Sequence, residues 1–231
     1  MNEIGVGVIG LGSIGLRMLA AFDEHPDFVG IIAWDPSSAA VEAARSAFPD
    51  LRIAGSSSEV TGTRGLDLIY VACPPDYHAT YALAARSADK AVLCEKPLGI
   101  DIADSEALVR GMATGPANGV NFLLAASRPA STLYDLVANG ELGCINHVEV
   151  RMHLRTWSRN RYLIAPWLAN SRAGGFLREV GSHYIYFAMH MLGDLTLHSA
   201  YVEGRDDISA EHFAHILLHA GDIPVTMIGS T

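Results

Sequence analysis

The composition is that of an acidic globular protein. The chain has 231 residues, of which 50% are hydrophobic and 18% charged, a balance that excludes a disordered tail or a coiled coil. With 25 acidic and 16 basic side chains the net charge is -9, which argues against nucleic acid or an anionic membrane as a partner. The apolar runs fall short of the ~20 residues that span a bilayer, and the N-terminus has no readable secretory signal.

Short apolar runs alternate with helical patterns through the first half of the chain. Runs rich in Val, Ile, Leu or aromatic residues predict strands at Ile4–Ile9, Phe28–Trp34, Asp67–Ala72, Ala91–Cys94 and Val120–Leu124. Helical patterns between them predict helices at Ile14–Asp23, Ala39–Phe48, His78–Ala88 and Ser105–Ala113. This alternation predicts βαβ units and a doubly wound parallel sheet, so residues 1–124 are assigned to one α/β domain.

The pattern changes after residue 124. Further elements are predicted at Pro129–Asn139 and Phe176–Leu192 (helices) and at Asn146–Leu154, Leu197–Glu203, His212–Ala220 and Pro224–Ser230 (strands). They predict a second α/β domain over residues 125–231, with a largely antiparallel sheet that is open on one face. Because the last strand directly precedes the end of the chain, we expect it to leave an unpaired sheet edge, from truncation or for use in assembly.

A glycine-rich turn separates the first strand from the first helix. Its sequence is Gly10-Leu11-Gly12-Ser13-Ile14-Gly15, a GxGxxG in the context that binds a dinucleotide. The first glycine permits the tight turn, the second lets a pyrophosphate approach the backbone and the helix N-terminus, and the third allows close packing. Asp35 ends the second strand, where a carboxylate binds a ribose 2′-OH, which predicts NAD and leaves NADP possible. A glycine turn in a nucleotide-free protein is the alternative.

Two more motifs follow predicted strands. They are Cys73-Pro74-Pro75-Asp76-Tyr77-His78 and Glu95-Lys96-Pro97. Ligands of doubly wound sheets lie beyond the carboxyl ends of the strands, so we expect both motifs beside the cofactor, although a simple strand-to-helix turn also explains the first. The ammonium group of Lys96 can stabilise a developing alkoxide, although a surface ion pair is the alternative role for its charge. The Lys96–Pro97 peptide bond can be cis.

Together these motifs resemble the Gfo/Idh/MocA oxidoreductases, which include glucose–fructose oxidoreductase and inositol dehydrogenases. The resemblance continues through Asn139-Gly140-Glu141-Leu142-Gly143 and through Gly174-Gly175-Phe176-Leu177-Arg178-Glu179-Val180-Gly181-Ser182-His183. The Glu-Lys-Pro triplet is its most specific element. It implies a Rossmann domain that binds NAD(P) through Gly10, Gly12, Ser13, Ile14, Gly15, Asp35, Pro74, His78, Glu95 and Lys96.

Glu179 and His183 lie four positions apart, so on a helix they share a face. A neutral histidine can take a proton at neutral pH and a carboxylate can orient its ring, although a surface ion pair or a core histidine is equally compatible with the spacing. The resemblance implies that Lys96, Glu179 and His183 are the catalytic group, with His183 as acid–base and Lys96 on the reacting oxygen. The family usually has aspartate at position 179, and an aromatic-Arg-Phe run where this chain has Leu123-Leu124-Ala125-Ala126.

Aromatic and basic residues between these motifs suit either a polyhydroxylated ring or a packed loop in a dimer interface. They are Thr156-Trp157-Ser158-Arg159-Asn160-Arg161-Tyr162, Pro166-Trp167 and Arg172. Trp167 is taken as a substrate residue beside Lys96 and His183.

No metal site is expected at His212, His215 and His219. On a strand, the side chain of His212 points away from the other two, and His215 and His219 are ~13 Å apart, too far to bind one ion.

The expected activity is that of an NAD(P)-dependent dehydrogenase, with hydride transfer between a ring hydroxyl of a sugar or cyclic polyol and nicotinamide. A redox-neutral NAD-using glycosidase or lyase, and a non-catalytic nucleotide-binding sensor, are the alternatives. The resemblance further implies a homodimer or homotetramer that assembles through the second domain. Three cysteines, an odd number without a CxxC pair, favour the reduced thiols of a cytoplasmic protein.

Overall fold

The fold is taken from a computed structural model, which describes residues 3–157 and 165–231. The chain divides into two compact units, residues 1–121 and 122–231. The strands of the first unit are β1 (Ile4–Ile9), β2 (Phe28–Trp34), β3 (Arg52–Ile53), β4 (Leu68–Val71), β5 (Ala91–Glu95) and β6 (Asn118–Asn121). Its helices are α1 (Ser13–Glu24), α2 (Ser38–Ala47), α3 (Ser57–Gly62), α4 (His78–Ser87) and α5 (Ile102–Met112).

The six strands of the first unit form one parallel sheet in the order β3-β2-β1-β4-β5-β6. This is the order of a dinucleotide-binding doubly wound sheet, and it confirms the predicted α/β architecture. The strand order reverses between β1 and β4. The carboxyl ends of the strands at this reversal therefore form the edge at which such sheets bind their ligands.

Helices cover both faces of the parallel sheet. On one face, Leu19 and Phe22 of α1 pack with Val8 and Tyr70. On the other face, helices α3, α4 and α5 pack against strand residues such as Ile69. Because both faces are buried, the strands are continuously apolar, which is the reason that the sequence predicted them well.

The predictions miss or misplace some short elements of this unit. Strand β3 has two residues and α3 has six, lengths too short for a periodic pattern to appear. The predicted strand Val120–Leu124 is wrong at its end, because β6 stops at Asn121. The apolar residues that follow lie in turns, in which the backbone N–H groups of Ala125 and Ser127 donate to the carbonyl oxygens of Phe122 and Leu124.

The second unit has two helices and a four-stranded sheet. They are α6 (Arg128–Ala138), α7 (Ser182–Leu192), β7 (Val148–His153), β8 (Thr196–Gly204), β9 (Glu211–Ala220) and β10 (Ile223–Ser230). The sheet order is β7-β10-β9-β8; β7 and β10 are parallel and the other neighbours antiparallel, as predicted for a largely antiparallel sheet. Val148, Val150 and Met152 of β7 share the face that packs into the core of this unit.

The expectation of an unpaired C-terminal strand is wrong. Strand β10 lies inside the sheet, with Val225 opposite Val148 of β7 on one side and Leu218 of β9 on the other. A tight turn returns β10 onto β9, whereas the parallel pairing with β7 joins strands far apart in the sequence, which local patterns do not reveal. The edge strands are β7 and β8, and every residue of β8 is exposed.

Among the described residues, no helix has the length and apolarity needed to cross a membrane.

Candidate active site

The glycine turn after β1 is shaped by close backbone approaches. Gly10 has a φ of +104°, and a Cβ there would lie 2.6 Å from the carbonyl carbon of Ala72. A Cβ on Gly15 would lie 2.0 Å from the carbonyl oxygen of Gly10. Both positions therefore require glycine, the first for its conformation and for space and the second because α1 packs directly onto the turn.

The outer side of the same turn fits a pyrophosphate. A Cβ on Gly12 would meet nothing within 4 Å, so the backbone there is open to an approaching group. Helix α1 begins at Ser13, its N-cap makes no side-chain hydrogen bond, and its first turn holds no acidic residue. The N–H groups and the positive end of the helix dipole thus have neither a side-chain cap nor an acidic residue of the first turn to compete for them, as an anion site requires.

Asp35 ties the end of β2 to the glycine turn. Its Oδ2 accepts a hydrogen bond of 2.7 Å from the Leu11 N–H, and its Oδ1 accepts one of 2.8 Å from the Ser37 N–H. The carboxylate therefore holds the turn in place at the carboxyl end of the sheet. Each oxygen has a further lone pair with which to bind a ribose hydroxyl.

The motif after β4 contains an exposed proline and a buried histidine. Pro74 is exposed, and Pro75–Tyr77 form a short 3-10 turn before α4. His78 is 1% exposed, with Nδ1 2.9 Å from the carbonyl oxygen of Pro97 and Nε2 2.8 Å from that of Cys73. Burial raises the pKa of the Cys73 thiol to about 12, so the cysteine is a poor nucleophile at neutral pH.

Glu95 ends β5 inside a buried polar cluster that the sequence analysis missed. It is 7% exposed, the hydroxyl of Tyr70 on β4 donates to its Oε1, and the amide of Asn121 on β6 donates to the same oxygen at 2.7 Å. Burial and the Glu95 charge raise the pKa of Tyr70, so this hydroxyl keeps its proton and acts as a donor. A tyrosine within an apolar buried strand was the available signal, since its hydroxyl needs a partner.

Lys96 follows Glu95 directly and is half-buried at the carboxyl end of β5. The Lys96–Pro97 peptide bond is cis, the isomer that the sequence allowed. Because Glu95 is tied to strands on both sides of β5, the backbone that carries the Lys96 ammonium group is fixed at this edge of the sheet.

In the second unit, the helix predicted at Phe176–Leu192 begins with a π-helical turn, Leu177–Gly181, and continues as α7 from Ser182. Glu179 lies in the π turn and His183 in the first turn of α7, and both are half-buried. Residues four positions apart share a face only on a regular α-helix, so the wider turn alters the angle between these side chains. Single π turns within helices are frequent at functional sites.

Phe122 packs against the His183 ring. The ring centroids are 5.9 Å apart at an angle of 88°, an edge-to-face contact. Phe122 in turn stacks on Tyr186, one helical turn beyond His183, with centroids 4.1 Å apart. Phe122 was not among the predicted site residues, because its partners are far from it in the chain.

The start of the helical segment is held by Glu211 of β9. Its Oε1 accepts a hydrogen bond of 2.6 Å from the Leu177 N–H, which places a carboxylate at the helix N-terminus. Gly175 has a φ of +96°, and a Cβ there would lie 2.2 Å from Oε2 of Glu211. A Cβ on Gly174 would lie 2.3 Å from the carbonyl oxygen of Leu168. The paired glycines thus make room for the carboxylate and for a close backbone crossing.

Trp167 is half-buried in a short 3-10 turn, Pro166–Ala169. The other tryptophan of this stretch, Trp157, packs on the core of the second unit and donates from Nε1 to the Leu168 carbonyl oxygen at 2.8 Å. The candidate residues Ser158, Arg159, Asn160, Arg161 and Tyr162 lie outside the described residues. Within residues 3–157 and 165–231, no group of three or more His, Cys, Asp or Glu is arranged to hold a metal ion.

The first unit thus has the fold and the glycine turn of an NAD-binding Rossmann domain, the class of protein that the sequence predicted. Residues 4–115 match the oxidoreductase family with the NAD-binding Rossmann fold, and residues 130–231 match the GFO/IDH/MocA C-terminal domain. The chain belongs to the GFO/IDH/MocA oxidoreductase family. The predicted family and its NAD-binding domain are therefore confirmed.

Two relatives are inositol dehydrogenases by name. The chain is 26% identical over 244 residues to the scyllo-inositol 2-dehydrogenase (NADP(+)) IolW of Bacillus subtilis, an alignment that covers 100% of this chain and 64% of the relative. It is 36% identical over 100 residues to the inositol 2-dehydrogenase of Acidothermus cellulolyticus, covering 42% of this chain and 29% of that protein. The chain therefore spans less than two thirds of the length of either relative.

The fold is also that of an oxidoreductase from Agrobacterium radiobacter, solved in complex with NAD+, L-tartaric acid and magnesium. The TM-score is 0.88 at 19% identity, and the match covers 99% of this chain and 67% of that one. At this identity the similarity concerns the fold alone. It includes both units, each of which therefore has a counterpart in a solved structure.

Proposed function

We propose that the protein is an NAD(P)-dependent dehydrogenase that acts on a CH–OH group, a ring hydroxyl of a sugar or cyclic polyol. The observation that carries the proposal is the arrangement at one edge of the parallel sheet. The glycine turn after β1, Asp35 after β2 and Lys96 after β5 all lie at the carboxyl ends of strands. A dinucleotide site and a potential oxyanion-stabilising cation thus belong to the same edge. The names of the two inositol dehydrogenases support a cyclic polyol as substrate.

Residues 1–124 are assigned to the cofactor in this proposal. Its ligands are Gly10, Gly12, Ser13, Ile14, Gly15, Asp35, Pro74 and Lys96. His78 and Glu95 are buried, so they act on the cofactor site through the backbone that they hold. When bound, NAD supplies the redox chemistry by exchanging a hydride with the substrate carbon. The open backbone at Gly12 receives the pyrophosphate, and the Asp35 carboxylate binds the adenosine ribose and disfavours the 2′-phosphate of NADP.

Residues 125–231 are assigned to the substrate and to assembly. In the oxidative direction His183 takes the hydroxyl proton, and the Lys96 ammonium group stabilises the negative charge that develops on the oxygen. Glu179 orients and stabilises the His183 imidazolium, and Trp167 packs on the apolar face of the ring. Glu179 replaces the aspartate usual in the family, and its longer side chain suits the wider π-helical turn on which it lies.

A substrate panel with Lys96 variants tests the proposal. Aldoses and cyclic polyols are incubated with NAD or NADP, and the absorbance of the reduced nicotinamide is followed. Lys96→Met removes the charge and preserves most of the side-chain length, so kcat should fall by about 10²–10³ while NAD still binds. Lys90→Met is the control, because Lys90 precedes β5 at the opposite edge of the sheet and its Nζ donates to the Leu66 carbonyl oxygen.

The outcomes separate the alternatives. Accumulation of reduced nicotinamide supports the dehydrogenase, whereas substrate cleavage without it identifies a redox-neutral glycosidase or lyase. Tight NAD binding without turnover on any sugar or polyol identifies a sensor. Unchanged turnover in Lys96→Met removes the assigned role of Lys96. The cytoplasmic location stays a prediction. The homodimer or homotetramer is also a prediction, and light scattering tests it, since a monomeric mass would contradict it.

A further inference from the structure

We propose that His78 is a positioning residue that fixes the spacing between two loops, the proline loop (residues 73–77, after β4) and the lysine loop (residues 96–98, after β5). The inference rests on the proposed function, since it gives these loops their roles toward cofactor and substrate. It assigns His78 an indirect role in place of a direct contact with the cofactor.

The geometry of the ring carries the inference. His78 is the first residue of α4, and both nitrogens of its ring lie close to backbone carbonyl oxygens. Nδ1 lies 2.9 Å from the carbonyl oxygen of Pro97, in the lysine loop, and Nε2 lies 2.8 Å from that of Cys73, in the proline loop. At 1% exposure, water does not compete for either nitrogen. The two ring nitrogens therefore bridge the backbone of both loops.

Each bridged carbonyl is adjacent to a candidate site residue. Cys73 directly precedes Pro74, and Pro97 directly follows Lys96. A displacement of the Cys73 carbonyl would move the proline loop, and a displacement of the Pro97 carbonyl would move the backbone of Lys96. Because a misplacement of about 1 Å can cost ~10²-fold in rate, a buried ring that sets both positions affects catalysis without touching the reacting atoms.

The proton count on the ring sharpens the argument. A neutral imidazole carries one N–H and donates to one carbonyl, whereas the doubly protonated ring donates to both. Burial lowers the pKa of His78, while the carbonyl oxygens of Cys73 and Pro97 and the Glu95 carboxylate act in the opposite direction. With the pKa below its usual value, the ring is neutral at neutral pH. It then donates its single N–H to one carbonyl oxygen, whereas the other nitrogen, which also faces a carbonyl oxygen, gains a hydrogen bond only when the ring is protonated.

A histidine that only fills the core is the competing explanation. Its replacement would lower stability and would reduce cofactor binding and turnover together. A positioning residue with one contact to each loop predicts that the two effects separate, because a substitution can keep one contact and remove the other.

Two amide substitutions separate the contacts. The side-chain nitrogen of Gln occupies nearly the position of Nε2 and that of Asn nearly the position of Nδ1. His78→Gln keeps the contact with Cys73 and loses that with Pro97, so kcat should fall by about tenfold while the KM for NAD stays within about twofold. His78→Asn does the reverse, so the KM for NAD should rise by about tenfold with kcat nearly unchanged.

A binding measurement makes the test independent of turnover. The Kd of NAD is measured by quenching of the intrinsic tryptophan fluorescence, and His78→Asn should weaken binding about tenfold while His78→Gln binds like the unsubstituted chain. His25→Gln is the matched control, because His25 is 52% exposed in the same unit. Lys96→Met is measured in parallel, and normal turnover in it would remove the assigned role of Lys96 whatever the His78 variants do. The proposed function itself fails if the unsubstituted chain reduces no nicotinamide with any substrate of the panel.

A split of the expected kind in either variant supports the proposal. It is overturned if both variants keep the unsubstituted values, if both change the two parameters by the same factor, or if the split is reversed. If neither variant folds, nitrogen NMR of the unsubstituted chain decides. An imidazole N–H of His78 protected from exchange supports a tie to a loop carbonyl, and a freely exchanging one contradicts it.

Discussion

Asp35 has one task that the structure shows and a second that the proposal assigns to it. It accepts hydrogen bonds from the backbone of Leu11 and Ser37, which shapes the glycine turn, and in the proposal it also binds the ribose. The sequence indicated the second task through the distance from the glycine motif. The first appeared only in the structure, because the bond to Leu11 joins residues 24 positions apart across two strands.

Asp35→Asn should weaken the preference for NAD. The amide removes the charge that repels a 2′-phosphate and keeps one oxygen that accepts from the backbone, but its NH2 group loses the second backbone hydrogen bond. That loss affects both cofactors alike, so the ratio of kcat/KM for NADP to that for NAD should rise by about tenfold, or ~1.4 kcal/mol. The ratio is measured on the best substrate of the panel. Asp50→Asn, an exposed change of equal charge, is the control, and an unchanged ratio in Asp35→Asn would mean that another residue sets the preference.

The π-helical turn and its anchor are features of an element. Glu211 on β9 accepts from the N–H of Leu177, and Gly175 leaves the space that this carboxylate occupies. Glycines at 174 and 175 were visible in the sequence as part of a motif. Their purpose was not, because the carboxylate comes from a strand more than thirty residues later.

Gly175→Ala should destabilise the second unit more than the substitution of a glycine that has a similar φ and open space around it. Gly193 is the matched control: its φ is +89°, against +96° for Gly175, and a Cβ there meets nothing within 4 Å. Both variants incur the cost of a positive φ, but only Gly175→Ala displaces the Glu211 carboxylate from the helix N-terminus. Urea unfolding should show an additional loss of about 1–3 kcal/mol. If both variants lose the same free energy of unfolding, displacement of the Glu211 carboxylate does not contribute to stability.

At the scale of the whole molecule, the proposal assigns one proton and charge transfer to two residues from distant parts of the chain. Lys96 belongs to the parallel-sheet unit and His183 to the mixed-sheet unit. Groups that act on the same oxygen in one transition state are non-additive when removed together. Independent groups lower the rate by the product of their separate effects.

A double-mutant cycle with Lys96→Met and His183→Ala measures this coupling. The double variant should have a kcat within about tenfold of the slower single variant, because loss of either group already disables the assigned proton and charge transfer. The cycle is run at saturating NAD and substrate, with NAD binding confirmed for each variant. A rate equal to the product of the two separate losses would show that the residues do not share a step.

The sequence by itself determined the local and repetitive features of this protein. The apolar strands of the parallel sheet, the glycine turn and the Glu-Lys-Pro triplet were all legible, because each depends on neighbours in the chain or on a periodic pattern. The family followed from the order of these motifs, without knowledge of their spatial arrangement.

Only the tertiary structure decided which distant residues meet. It placed β10 inside the sheet, tied Glu95 to Tyr70 and Asn121, and brought His78 between two loops. The physical reason is that buried polar groups and strand edges must find partners, and the partner is whichever group the fold brings near. A sequence shows that such a requirement exists, whereas the folded chain determines how it is met.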